Sequence, residues 1–124
     1  MSNFGEGEGI VIKGLLIKEP WVTHILNGDK TWEIRSSQTK IRGEIHLIRS
    51  GSGLIVGTAT IENSFPITKD DYIQNMDKHC IKNVSYDELA YKNPHAWVFN
   101  NPRWLKRPIP YRHKLGAVIW INID

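Results

Sequence analysis

The sequence predicts a mainly β fold of the α+β class: a small, closed or nearly closed barrel of five or six strands with short flanking helices. Three observations carry this expectation. Apolar residues alternate with period two in 54–61 and again in 115–123, the signature of strands. Helical patterning is confined to short stretches bounded by Pro, Gly or Asn. No βαβ repeat is long enough for a doubly wound sheet.

Residues 1–9 are small, polar and glycine-rich and are expected to form a flexible tail; residues 10–124 are expected to form one domain. Ile10 to Ile17 reads as a strand, with Gly14 marking a bulge or a close backbone contact. The stretch from Pro20 to Arg35, PWVTHILNGDKTWEIR, organises the rest. Pro20 suits the first helical turn, and Val22, Ile25 and Leu26 recur at helical spacing. Gly28 is free to take the left-handed geometry that ends a helix. The period then changes to two: Trp32 and Ile34 share one strand face, and Thr31, Glu33 and Arg35 share the other. Lys30 at the turn joins that polar face.

Glu44 to Ile48 and Leu54 to Ile61 are the next strands. Neither face of the second is strongly polar, which places it centrally, and Gly57 and Ala59 leave room for another element to approach. Thr68 with Asp71 forms a helix start, stapled by Ile67 and Tyr72, and Ser85 with Glu88 forms a second capping box. His95 to Phe99 reads as a strand, followed by a proline-rich structured loop from Asn100 to Tyr111 and a closing strand from Leu115 to Ile123. Trp32, Ile34, Val56, Ile119 and Ile121 are expected in the core.

Composition bounds function loosely. The chain has 124 residues, 40% of them hydrophobic, and a net charge of +3. That excess permits a polyanionic partner without demanding one. The single Cys80 excludes an intrachain disulfide, and a reduced, cytoplasmic setting is expected. No run of 18 apolar residues spans a membrane. The five histidines show no metal-ligand spacing, so no metal is expected, and nothing in the residues requires a cofactor. Five tryptophans supply core volume and, where exposed, stacking surface.

The pattern of Pro20-Trp21, Ile25, Gly28, Lys30, Glu33 and Arg35 resembles the ASCH domain family, a relative of the PUA domains of RNA-modifying enzymes. Asn101-Pro102-Arg103-Trp104-Leu105 with Pro108-Ile109 is similar to a late segment of one ASCH branch. The resemblance covers Ile10 to Asp124. It implies a β-barrel with a cleft beside the first helix, and RNA, nucleotide or modified-nucleobase ligands. Some members are ribonucleases and some hydrolyse acylated cytidine. In the latter, a lysine is followed three positions later by a threonine. Lys30 matches the lysine, but Glu33 stands where the threonine would be, which removes the attacking hydroxyl. Thr31 shares Glu33's face, yet lies about 6–7 Å away along the strand.

Two function classes follow. In the first, the chain binds RNA or a nucleotide-like molecule through Lys18, Trp21, Lys30, Glu33 and Arg35, with Arg103, Trp104 and Arg107 adding a basic surface in which cations neutralise phosphates and an aromatic stacks on a base. In the second, it is a small hydrolase acting on an acylated cytidine or an RNA phosphodiester. Lys30, Glu33 and Thr31 would then be the catalytic set, with Glu33 activating a water. The bland reading of Lys30, Glu33 and Arg35 is a surface charge ladder, and that of Trp104 is a loop anchor. The mild charge excess and the missing threonine favour binding.

Overall fold

The computed structural model describes residues 12–123, and the expected flexible tail lies outside them. The elements run β1 (Ile12–Ile17), α1 (Trp21–Leu26), β2 (Trp32–Arg35), β3 (Gly43–Arg49), β4 (Leu54–Pro66), α2 (Lys69–Gln74), α3 (Met76–His79), a 3-10 turn (Tyr86–Glu88), β5 (His95–Pro110) and β6 (Trp120–Ile123). The six strands form one mixed sheet in the order β2-β5-β4-β3-β1-β6. β1 and β3 are parallel, and the other neighbours are antiparallel. The strand count and the mainly β class agree with the sequence reading. The sheet is not closed, however: β2 and β6 remain as its edges.

Both faces of this sheet are buried at its centre, through residues 14–17 of β1 and 55–59 of β4, which explains the near-continuous apolar character of those stretches. In β1, Leu15 and Ile17 join Val22, Ile25 and Leu26 of α1 in the main core, while Leu16 packs on the opposite side with Ile48, Ile55 and Ile121. A third cluster gathers Trp32, Ile34, Ile67, Tyr72 and Ala96 beneath α2. The close approach expected at Gly57 is real: a Cβ there would collide with the Leu26 side chain and the backbone oxygen of Arg103. Gly14 likewise sits against Ile48 and Ile123, in an unbroken register rather than a bulge.

Local signals place the helices well. Gly28 follows α1 with φ +87°. Thr68 and Asp71 form the reciprocal capping box of α2, and Ser85 with Glu88 forms another. The second supports only a three-residue 3-10 turn. Pro20 lies at the N-cap, one position before the first turn. Having no side-chain donor or acceptor, it leaves the capping to Glu19, which accepts from the Thr23 backbone N–H at 3.2 Å and hydroxyl at 2.7 Å.

Two stretches depart from expectation. The segment expected as a loop from Asn100 to Tyr111 is strand, continuing β5 to Pro110. Prolines are tolerated there because β2 pairs only with His95–Val98, so the later half of β5 has β4 on one side only, and edge positions accept residues without a donor. Register shifts along β4 absorb the remaining irregularity. Conversely, the closing strand is only four residues long. A turn in which Ala117 N–H donates to the Lys114 carbonyl, with Gly116 at φ +84°, diverts the chain before it. Ile119, expected in the core, is therefore 44% exposed, whereas Trp32, Ile34, Val56 and Ile121 are buried.

Candidate functional site

The strand parity of β2 divides its side chains as anticipated. Trp32 and Ile34 enter the apolar cluster under α2, and Glu33 and Arg35 turn toward a cleft of about 500 Å³. One flank of the cleft comes from the entrance of α1, with Lys18 and Trp21; the loop 36–39 follows β2, and Tyr91, Trp97, Ile119 and Trp120 complete the walls. The Trp97 and Trp120 rings stack with centroids 5.9 Å apart and planes 16° apart. The Trp97 indole N–H donates to the Ser37 carbonyl at 2.7 Å, which ties the loop to the sheet.

Arg35 and Glu33 form the polar floor. Arg35 Nε and Nη2 each lie 2.9 Å from Glu33 Oε2, a two-pronged arrangement, and Nη2 also donates to the Leu16 carbonyl at 3.0 Å. The guanidinium lies 5.3 Å from the Trp97 ring centroid. Two charge-assisted contacts that converge on one carboxylate oxygen fix orientation as well as energy. Burial, with the Glu33 carboxylate adding to it, raises the Tyr91 phenol above its ordinary range.

Lys30 occupies a different position. It is 2% exposed and lies behind the cleft rather than on its lining. Its ammonium donates to the His79 carbonyl at 2.6 Å, sits 3.7 Å from Glu33 Oε1 and stands 4.6 Å from the Trp21 ring centroid. Burial pulls its pKa down, opposed by the Glu33 carboxylate. His79 is held in turn by two hydrogen bonds. Nε2 is 2.8 Å from the Tyr72 carbonyl, and Nδ1 accepts from the Ile81 N–H at 2.9 Å. A neutral ring protonated on Nε2 satisfies both. The ring also stacks on Tyr72 with centroids 4.3 Å apart.

The remaining predicted residues divide. Lys18, Trp21, Glu33 and Arg35 share the cleft. Thr31 is not among its lining residues; its backbone bonds to Lys78 and Phe99 bridge β2 to neighbouring segments. Arg103, Trp104 and Arg107 lie on the later half of β5, exposed and outside the cleft. Trp104 is 43% exposed, and its indole N–H donates to Asn27 Oδ1 at 2.8 Å. It thus both anchors β5 to the end of α1 and presents a ring to solvent. Among the described residues no three of His, Cys, Asp and Glu cluster as metal ligands, and no helix is long and apolar enough to cross a membrane.

Sequence reasoning missed Tyr91, Trp97 and Trp120 as cleft walls. For Trp97 and Trp120 the available signal was aromatic content in strand-like segments, but only pairing across distant strands brings them beside Arg35.

Comparison with known proteins agrees with this architecture. The ASCH domain family matches residues 15–109. The crystal structure of ASCH from Zymomonas mobilis superposes with a TM-score of 0.66 at 15% identity, covering 79% of this chain and 72% of that one. Two mutant forms of the Zymomonas mobilis protein superpose similarly, with TM-scores of 0.65 and 0.66 at 14% and 15% identity, each over 79% of this chain and over 72% and 74% of theirs. At that identity the likeness concerns the fold. No curated protein matches the sequence. The chain belongs to the ASCH domain family.

Proposed function

We propose that this protein binds RNA or a nucleotide-like ligand, with a nucleobase held in the cleft beside α1. The observation that carries this reading is the pairing of aromatic walls with a rigid polar floor. Trp21, Trp97, Trp120 and Tyr91 surround the Glu33–Arg35 pair in about 500 Å³, within the range of small-ligand pockets. An unstacked base needs an aromatic face and a donor and acceptor at its edge. Arg35 supplies donors and Glu33 an acceptor. Lys18 at the rim adds charge for a phosphate. Lys30 acts from behind, holding Glu33 and the Trp21 ring. The exposed cations of β5 extend the electrostatic footprint.

The hydrolase reading has a narrower basis: Glu33 is the carboxylate on the lining. Its Oε2 is already engaged by Arg35 and its Oε1 faces Lys30, an arrangement suited to orienting groups rather than to taking a proton. Binding is therefore preferred. The test incubates wild type and Glu33→Gln with short RNA and with an acylated cytidine, following binding and product mass together. Saturable binding without product, weakened in Arg35→Ala with the fold intact, supports the module. Product that disappears in Glu33→Gln while binding persists selects the enzyme.

A further inference from the structure

Beside the first cleft lies a second chamber of about 710 Å³. Leu16, Lys18, Ser50 and Val118 border both, so the two chambers adjoin, and together they make a groove with Lys18 on both linings. Their chemistry differs. The first is walled by three tryptophans and holds Glu33. The second has no tryptophan and no carboxylate on its lining; the turn through Ser50, Gly51 and Gly53 faces Tyr111 and His113 across it. Tyr111 Oη is 2.9 Å from His113 Nδ1. Where the hydroxyl donates to Nδ1, Nε2 is left as a donor for a ligand.

An acid-free chamber with an exposed ammonium at its mouth and an imidazole on its wall suits a phosphate. An aromatic slot immediately beside it suits the base that phosphate carries. At about 710 Å³ the second chamber holds more space than one phosphate group fills. We infer that the groove takes a single RNA strand across consecutive nucleotides. One base enters the aromatic cleft, and the adjoining phosphodiester passes Lys18 into the second chamber, where His113 and the neighbouring nucleotide meet. This assignment rests on the nucleobase reading of the first cleft and adds to it a second subsite and a choice of strand over free nucleoside.

The test compares nucleosides, nucleoside 3′- and 5′-monophosphates, the matching dinucleoside monophosphates and a mixed-sequence pentanucleotide, titrated against wild type, Lys18→Ala, His113→Ala and Arg35→Ala. Wild type is expected to hold the best dinucleotide about tenfold or more tighter than its nucleoside, the scale of an added charge-assisted contact. His113→Ala should erase that advantage while leaving nucleoside affinity unchanged, and Lys18→Ala should weaken every phosphate-bearing ligand. Equal affinity for nucleoside and dinucleotide overturns the second subsite. A monophosphate that matches the dinucleotide overturns the strand assignment. An advantage that survives both Lys18→Ala and His113→Ala moves the phosphate elsewhere and overturns the role of this chamber. In each of these cases nucleoside binding that is weakened in Arg35→Ala leaves the first cleft standing. If wild type binds none of the ligands, the reading of the first cleft fails and this one fails with it.

Discussion

Two basic regions of this molecule are written in similar residues and obey different physics. Around β2, Lys30 and Arg35 are buried or half-buried, and every contact they make is specific: a carboxylate, two backbone carbonyls and two indole rings. On the later half of β5, Arg103, Lys106 and Arg107 are exposed. In the first region charge is used to hold geometry. In the second it contributes a field that salt screens. The same substitution, a cation to alanine, should therefore read out as lost stability in one place and lost electrostatic attraction in the other.

The largest effect is expected at Lys30. Its side chain and that of Glu33 are almost wholly removed from solvent, and truncating Lys30 leaves the buried carboxylate with Arg35 alone and takes the ammonium donor from the buried His79 carbonyl. Lys30→Ala should cost about 3–5 kcal/mol of folding stability, measured by chemical denaturation. A loss under about 1 kcal/mol, the size found for surface ion pairs, would move Lys30 into the same class as the β5 cations. Lys30→Met keeps most of the stem packing and should recover part of that loss.

His79 sharpens the same contrast through pH. Burial lowers its pKa below the ordinary 6.5; the nearby Lys30 ammonium acts in the same direction, and the Tyr72 carbonyl and Asp77 oppose it. The folded state thus prefers the neutral ring, and the unfolded chain binds the proton first as pH falls. Stability from this group is complete above about pH 6.5 and is lost as pH drops through the lower folded value. Protonating Nδ1 would also remove the acceptor for the Ile81 N–H. Between pH 7 and 5.5 the stability of wild type should fall more steeply than that of His79→Gln; parallel curves would show that the imidazole does not report on the buried cluster.

Arg35 stands between the two regimes, since it is half-buried yet borders the cleft. Arg35→Ala should weaken ligand binding by about 1–3 kcal/mol, the cost of leaving a buried polar partner unmet. Isothermal titration checks this, with circular dichroism confirming the fold. Binding unaffected by the substitution would remove the Glu33–Arg35 floor from the ligand contact.

The contrast between the regions also marks what the sequence made legible. Signals carried within a few residues were readable: the capping pair Thr68 and Asp71, the glycine stop at Gly28, and the parity that sends Glu33 and Arg35 to one face. Lys30 read as a turn residue on the polar face lining the cleft, because its burial depends on the His79 carbonyl, 49 positions away. Trp97 and Trp120 were anonymous aromatics until β5 paired with β2 and β6 with β1. The prolines of β5 suggested a loop by local rules, and only an open sheet edge makes them compatible with a strand. Ile119 fitted a period-two pattern, but a turn at Lys114–Ala117 delays the strand beyond it.

The smallest expected change in stability, and the clearest electrostatic one, belongs to β5. Arg103 and Arg107 are exposed, so replacing both by glutamine should leave folding stability within about 0.5 kcal/mol of wild type. Their effect on a nucleic acid is of another kind. Each phosphate that a cation neutralises releases counterions, and affinity then falls with salt at a slope of roughly 0.7 per contact for single strands. Losing two contacts should flatten the plot of log affinity against log salt by about 1.4. Trp104 lies between these two arginines and keeps an indole face toward solvent while its N–H is held by Asn27, so Trp104→Ala should lower affinity with little change in slope, as expected of stacking rather than ion release. A salt series on the three proteins separates these contributions. An unchanged slope in the doubly substituted protein would confine the ligand to the groove beside α1, and the exposed cations of β5 would then serve to guard an open strand edge against pairing with another chain.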